Sequence, residues 1–153
     1  MKNICCFAGH SRVYSSEKVY EKVLLLAETL ICDQKVSEFR VGNYGGFDAL
    51  CTRAIRELKN KYPHIVLILV IPYLTNDINE YKNYYNETYD AILIAQIPES
   101  TPKKFQIIKA NQYMVDKSQF MICCIDHEWG GAFKTLEYAK RKKYIKIYNI
   151  ANA

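Results

Sequence analysis

The residues best suited to chemistry lie in one stretch, DHEWGGAFKT at residues 126–135. It follows an apolar run and precedes a helical pattern, which predicts a strand, a glycine turn and a helix start in that order. Gly130 and Gly131 let the backbone approach a ligand, and the first turn of a helix offers unpaired N–H groups at the positive end of its dipole. The stretch therefore predicts an anion site for phosphate or carboxylate. The competing interpretation is an ordinary tight turn.

A Walker-type loop is excluded at this stretch. Such a loop needs glycine immediately before Lys134, where this chain has Phe133. Kinase-type ATP chemistry is therefore disfavoured.

A second glycine-rich turn, GNYGGFD at residues 42–48, also leads from a strand-like run into a helical pattern. It contains Gly45 and Gly46, and Asp48 falls in the first turn of the predicted helix. One interpretation is a carboxylate favoured there by the helix dipole. The other is an acid that meets ribose hydroxyls or a reacting centre. A lone aspartate does not decide between them.

Cysteine and histidine residues raise the question of a metal site. Cys5-Cys6 and Cys123-Cys124 lie in strand-like runs, and a zinc set could be drawn from these pairs with His10 and His127. Neighbours on a strand point to opposite faces, so neither pair can chelate one ion through both sulfurs. We therefore expect no metal and no cofactor. The six cysteines, which include Cys32 and Cys51 in helical patterns, are predicted to be reduced core residues.

Length and composition indicate one soluble domain over residues 1–153. Half of the residues are hydrophobic and 24% are charged, which is typical of a globular protein. No apolar run approaches the roughly 20 residues of a membrane span, and the N-terminus enters a strand without a signal-peptide pattern. We expect a cytoplasmic protein with no membrane partner. The formal charge is +5, and residues 140–143 read KRKK. This cluster indicates either a solvated helix end or nucleic-acid contact.

The order of the elements predicts an α/β fold. Six strand-like runs are separated mostly by helical patterns, as in a mostly parallel sheet covered by helices. Ligands bind such sheets outside the carboxyl ends of the strands, where the loops after the first, second and fifth strands lie. The strand-like runs are residues 3–8, 36–41, 65–71, 90–95, 120–125 and 146–150.

Two intervening segments carry further expectations. Residues 73–89 are rich in tyrosine and are predicted to hold a short helix, whose tyrosines either stack on a base or cover the sheet edge. Thr101 is expected to cap a helix with Pro102 in its first position. Phe105, Ile108 and Val115 of that helix are expected to face inward.

Four motifs in sequence order resemble the SLOG superfamily, and within it the YpsA-like group. They are CCFAGH at residues 5–10, YGGFD at 44–48, NQYMVDKS at 111–118, and the Gly130-Gly131 segment through Thr135 to Lys140. This resemblance spans nearly the whole chain. It implies a Rossmann-like three-layer sandwich with a site for a nucleotide or nucleotide-derived ligand.

The resemblance implies a set of pocket residues. We add Gly45, which belongs to the second glycine turn, and Arg12 and Lys134, which would supply positive charge for a phosphate. The ligand expected is an adenine nucleotide or an ADP-ribose-like molecule, bound by a sensor or carrier. A homo-oligomer is left open, because no residue pattern proves one. The positions carried over are Gly9, His10, Gly46, Asp48, Asn111, Asp116, Gly130, Gly131 and Thr135.

Departures from the pattern leave two rival functions open. Ala110 stands where the resemblance implies a phosphate-binding arginine, and Tyr138 occupies the position of the catalytic glutamate of LOG phosphoribohydrolases. An N-glycosidic hydrolase would have to use Asp48 or the adjacent Glu137. The third alternative is single-stranded nucleic-acid binding like that of the related protein DprA, through the basic cluster at residues 140–143.

Overall fold

Six strands form the central sheet of this computed structural model, which describes residues 3–151. Each strand is close to its predicted position, and β1, β3 and β5 are the continuous apolar runs expected of buried parallel strands. The strands are β1 (Asn3–Gly9), β2 (Val36–Val41), β3 (Val66–Ile71), β4 (Ala91–Ile94), β5 (Phe120–Cys124) and β6 (Lys146–Asn149).

Helices occupy the connections between the strands. A short 3₁₀ turn, Lys103–Phe105, precedes α5. The helices are α1 (Ser16–Gln34), α2 (Gly46–Lys61), α3 (Asn76–Glu80), α4 (Lys82–Thr88), α5 (Gln106–Asp116) and α6 (Gly130–Lys140).

All strand pairs are parallel, and the strand order is β4-β3-β2-β1-β5-β6. The chain moves outward from β1 to β4 and then returns to place β5 on the other side of β1. The strand order therefore reverses between β1 and β5, and a crevice is expected at their carboxyl ends.

The two faces of the sheet are covered by different helices. On one face, α1, α2, Tyr85 of α4 and the following Tyr89 pack around Cys5, Phe7 and Phe39. On the other, α5 and α6 pack around Cys6 and Ala8. Helices on both faces make the three-layer α/β sandwich that the sequence predicted.

The prediction of core cysteines is confirmed for Cys5, Cys6, Cys51 and Cys123, whereas Cys124 at the end of β5 is only partly buried and the prediction is wrong for one helix residue. Cys5 and Cys6 face opposite sides of the sheet, as alternation along a strand requires. All six cysteines are free thiols, and four of them are buried. Cys32 is exposed, however, because it lies in the last turn of α1, where the helix extends past the core.

The start of α5 differs from its prediction. Thr101 makes no side-chain cap, and Pro102 precedes the 3₁₀ turn rather than opening the helix, which begins at Gln106. Phe105 is consequently exposed. Val115 is buried as expected, whereas Ile108 is only half-buried.

The tyrosine-rich segment forms two short helices, α3 and α4, instead of one. Tyr85 and Tyr89 are buried against the face that carries α1 and α2. Tyr81 and Tyr84 are exposed. The tyrosines are thus divided between covering the sheet and facing solvent.

Within residues 3–151, none of the helices combines the length and the apolar character that crossing a membrane would require.

Candidate functional site

A cleft of about 490 Å³ lies at the carboxyl edge of the sheet, above the switch point between β1 and β5. The loops after β1, β2 and β5 line it, together with one side of α5. Its volume is within the range of small-molecule sites. Seven of the predicted ligand-binding residues line this cleft: Gly9, His10, Arg12, Asp48, Asn111, Gly130 and Gly131.

An aromatic stack forms part of the cleft wall. The rings of His10 and His127 are parallel, with centroids 3.4 Å apart, and Trp129 stacks on His127 at 3.8 Å. Trp129 is 68% exposed although its indole is large and apolar. The stack thus ends in an open aromatic face, a surface that suits the flat face of a base.

Asp126 connects the two histidines. Its Oδ1 lies 2.8 Å from His127 Nδ1 and 3.5 Å from His10 Nε2, and its backbone N–H donates to His10 Nε2 over 3.3 Å. Neutral His10 therefore carries its proton on Nδ1. Burial and the neighbouring imidazole of His127 lower the pKa of His10, while the Asp126 carboxylate opposes the shift. The net lowering of the pKa favours a neutral His10 at pH 7.

The N-terminus of α6 opens onto the cleft. Gly130 has φ of +90°, a conformation that side-chain-bearing residues rarely adopt, and this lets the chain turn from the β5 loop into the helix. A Cβ added at Gly131 would contact only Ile108, at 4.0 Å. Among the described residues, no side chain caps this helix. Its first N–H groups are thus available to an anion.

Asp48 lies in the same cleft, in the first turn of α2. Its Oδ2 accepts a 3.0 Å hydrogen bond from the backbone N–H of Tyr44. Burial raises the pKa of Asp48 to about 6, and the hydrogen bond from Tyr44 only partly opposes this shift. The dipole interpretation and the ligand interpretation therefore both have structural support, since the carboxylate is at a helix start and faces the cleft.

Gly45 and Gly46 lie behind the cleft and join the first two loops. Gly46 N–H donates to the backbone oxygen of Ser11 over 2.7 Å. A Cβ at Gly45 would lie 2.6 Å from Ser11 Cα, so the close approach requires glycine there. Both residues shape the β1 loop and do not line the cleft.

Other predicted positions also lie outside the cleft. Asp116, at the far end of α5, accepts a 2.7 Å hydrogen bond from the hydroxyl of Tyr138. Thr135 is buried, and its hydroxyl donates to the oxygen of Gly131 within α6. Lys134 is exposed on α6 and is not among the cleft residues.

The catalytic candidate Glu137 and Ala110, which replaces the phosphate-binding arginine implied by the resemblance, also lie away from the cleft. Glu137 pairs with Lys140 along α6 at 3.5 Å. The side chain at position 110 is buried between α5 and the sheet. Of the two catalytic candidates, only Asp48 lines the cleft.

Several cleft residues were not in the predicted set. Asp126, His127 and Trp129 belong to the stretch predicted as the centre of the site, but the ligand-binding residues predicted there were only its glycines, Lys134 and Thr135. Tyr14 and Tyr44 also line the cleft. The presence of aromatic and acidic residues next to the two glycine turns could have predicted that these residues line the cleft. Their proximity to His10 depended on the pairing of β1 with β5.

An all-parallel sheet, helices on both faces and a cleft at the switch point define a Rossmann-like α/β protein. The sequence identifies the family within this fold class, because residues 15–152 match the YpsA family model, described as the YspA SLOG family. The chain therefore belongs to the SLOG family, and the prediction from the four motifs is confirmed. His10 and β1 precede the matched range, so their place at the cleft is known from the structure and not from the family match.

Two relatives match over most of their lengths. The SPbeta prophage-derived protein YoqJ of Bacillus subtilis (strain 168) is 28% identical over 141 residues, covering 81% of this chain and 81% of YoqJ. The UPF0398 protein BH1768 of Halalkalibacterium halodurans is 22% identical over 148 residues, covering 93% of this chain and 76% of that protein.

Two solved structures share the fold. DNA processing protein A (DprA) from Streptococcus pneumoniae has a TM-score of 0.63 at 17% identity, over 95% of this chain and 49% of DprA. DprA from Helicobacter pylori, described for its single-stranded DNA binding mode, has a TM-score of 0.61 at 17% identity, over 91% of this chain and 61% of DprA. The chain thus spans 49% and 61% of these proteins, and the likeness shows the fold.

Proposed function

We propose that the chain binds a nucleotide or nucleotide-derived ligand, of the adenine-nucleotide or ADP-ribose type, as a sensor or carrier. One observation carries this proposal: the uncapped N-terminus of α6 and the Asp48 carboxylate face one cleft. The helix start suits a phosphate, and a carboxylate suits sugar hydroxyls. Arg12 lines the same cleft and adds a guanidinium for phosphate.

The exposed face of Trp129 completes the fit to such a ligand. A base stacks on an indole without regard to its identity, and such contacts contribute about 1–3 kcal/mol each. Phosphate, sugar and base groups would thus each have a complementary surface within a cleft of about 490 Å³. A carboxylic acid without a base would leave the indole unused.

Binding is tested by calorimetry and thermal shift with AMP, ADP, ATP, NAD and ADP-ribose. We expect one molecule bound per chain and an affinity about tenfold weaker in Arg12→Gln, because a charged hydrogen bond to phosphate is lost. Arg56→Gln removes the same charge from the exposed side of α2 and should leave the affinity unchanged. The proposal fails if none of these ligands binds at millimolar concentration.

A second candidate, hydrolysis of an N-glycosidic bond, is favoured by the pKa of Asp48. A carboxyl group with a pKa of about 6 in a cleft can exchange protons near neutral pH. Chromatography after incubation with AMP, NAD and ADP-ribose measures it. Release of base that is lost in Asp48→Asn would support hydrolysis, and intact ligands would leave binding alone.

A third candidate, single-stranded DNA binding, is favoured by the shared fold with DprA and by exposed aromatic side chains such as Tyr81 and Tyr84. It predicts an affinity that falls steeply with salt. Changing Lys140, Arg141 and Lys142 to glutamine should then abolish retention. A matched variant, with glutamine at the exposed residues Lys103, Lys104 and Lys109, loses the same charge elsewhere. Equal loss in both variants would show a non-local charge effect.

We also propose a cytoplasmic location. The support is that all six cysteines are free, as in a reducing compartment. Fractionation of the native host with an antibody to the chain would test this location.

A further inference from the structure

We propose that His10, His127 and Asp126 form a binding site for one divalent transition-metal ion, of the Zn²⁺ or Co²⁺ class, in the cleft wall. This site goes beyond nucleotide binding and does not depend on it, because the metal ion alone is the probe. The three residues come from the two strands that flank the switch point, His10 after β1 and the other two after β5.

The distances between the donor atoms are comparable to those between the ligands of one metal ion. One ligand atom from each residue lies within 4.8 Å of the other two, and His10 Nε2 is 3.5 Å from Asp126 Oδ1. In a tetrahedral site with bonds of about 2.0–2.2 Å, neighbouring ligand atoms are about 3.3–3.6 Å apart. His127 Nδ1 is now 2.8 Å from the same carboxylate oxygen, and its ring is nearly parallel to that of His10. The His127 ring therefore has to turn out of the stack so that the lone pairs of both imidazoles point to one ion, and the ion would replace the Asp126 N–H as the partner of His10 Nε2.

The side chains of His127 and Asp126 face solvent and have room to make this adjustment. His10 has 13% of its side chain exposed, whereas His127 has 27% exposed and stacks between His10 and the exposed indole of Trp129. A rotation of the His127 ring therefore disturbs no core packing. The mostly exposed Asp126 side chain can follow it.

The kinds of donor decide the class of metal. Two imidazoles and one carboxylate suit Zn²⁺, Co²⁺ and Ni²⁺ better than Mg²⁺ or Ca²⁺, which prefer oxygen ligands throughout. Three protein ligands leave a coordination position open to water or to a ligand oxygen. No cysteine belongs to this set. The sequence-based expectation of no metal considered cysteine pairs, and these are indeed split between opposite faces of the sheet.

The first experiment titrates the full chain with Co²⁺ and Zn²⁺ by calorimetry and visible absorption, after removal of bound metal by chelator. We expect one equivalent to bind with a rise in melting temperature, and the Co²⁺ spectrum to show d–d bands without thiolate charge-transfer bands. Strong thiolate bands would place the metal on cysteine and overturn the proposal. Failure to bind either ion at millimolar concentration would also overturn it.

Variants assign the ligands. His127→Ala and Asp126→Asn alter side chains outside the hydrophobic core, so both should fold, and each should weaken Co²⁺ binding at least about tenfold. His10→Ala should do the same. His64→Ala and Glu128→Gln are matched controls, because both residues are exposed and neither belongs to the set. Unchanged binding in His127→Ala and Asp126→Asn, or equal loss in the controls, would overturn the assignment.

Discussion

At the scale of single residues, the cleft combines a carboxyl group with a raised pKa, Asp48, and a helix start whose backbone N–H groups are not covered by a side chain at Gly131. Asp48 is costly to ionise because burial removes water from its carboxylate. Gly131 leaves open space where any other residue would place a side chain. Both features have measurable consequences, one for stability and one for affinity.

Asp48→Asn should stabilise the protein at neutral pH. The folded state holds the Asp48 proton up to a pH of about 6, whereas the ordinary pKa is 3.8, so stability falls as pH rises through that window. Asparagine carries no charge and can still accept from the Tyr44 N–H. We expect a gain of about 2 kcal/mol at pH 7, read from denaturant unfolding, that disappears below about pH 4.

The exposed Asp33 provides the control for this measurement, since Asp33→Asn removes the same charge at the surface. A gain at Asp48 that persists unchanged at pH 3.5 would contradict the assignment of the effect to the raised pKa of this partly buried carboxyl group.

Gly131→Ala should separate ligand affinity from stability. The added methyl group meets open space and lies at the second position of α6, where alanine favours the helix. Unfolding free energy should stay the same or rise by a few tenths of a kcal/mol. Nucleotide affinity, measured by calorimetry, should fall about tenfold or more, because the methyl group holds phosphate away from the backbone N–H groups. Unaltered affinity would mean that the ligand does not approach this helix.

At the scale of elements, the carboxyl end of β1 is held between two neighbours. Gly9 ends β1 against the ring of Phe47 in α2, and Phe7 packs edge-on to the same ring with centroids 6.5 Å apart. On the other side, Gly9 is in register with Cys124 of β5. The position of the β1 loop therefore depends on the contacts of Gly9 with α2 and β5.

Gly9→Ala should be destabilising for this reason. Its Cβ would lie 2.4 Å from two ring atoms of Phe47 and 2.6 Å from the Cβ of that residue, which cannot all move aside cheaply. We expect a loss of about 2 kcal/mol or more in denaturant unfolding. Gly131→Ala adds the same methyl group to open space and serves as the matched control. A neutral Gly9→Ala would show that α2 shifts freely relative to β1.

At the scale of the whole molecule, burial is distributed unevenly. Five of the seven residues of β1 are buried, whereas α3 contains no buried residue and α4 contains two. Segments with few buried contacts open locally at low free-energy cost. By this measure α3 and α4 are among the less firmly packed helices of the described chain.

Hydrogen exchange followed by mass spectrometry should reflect this difference. Amides of β1 and β5 should exchange at rates close to global unfolding, and those of α3 and α4 should exchange many-fold faster. Saturating nucleotide should slow exchange in the loops after β1, β2 and β5 if the cleft is the binding site. Protection of α3 equal to that of β1 would contradict the packing argument.

The assembly state stays a prediction. The sequence left a homo-oligomer open, and exposed side chains such as Leu25 and Tyr14 do not by themselves define an interface. Sedimentation of the full chain with and without nucleotide would measure it.

The sequence by itself determined the strands, most of the helices, the two glycine turns and the family. These features are readable because each depends on residues near one another in the chain, through apolar runs, helical spacing and the need for glycine in tight turns. Local patterns failed at Thr101 and Phe105, where a 3₁₀ turn delays α5 to Gln106.

Only the tertiary structure decided which loops share a cleft. His10 and Asp126 are 116 positions apart, and they meet because β5 returns to pair with β1. The same pairing leaves Asp116 and Glu137 outside the cleft and brings Asp126, His127 and Trp129 into it. Burial sets the pKa of Asp48 in the same way. Strand pairing and burial are properties of the folded chain, since they arise from contacts between residues that no local pattern connects.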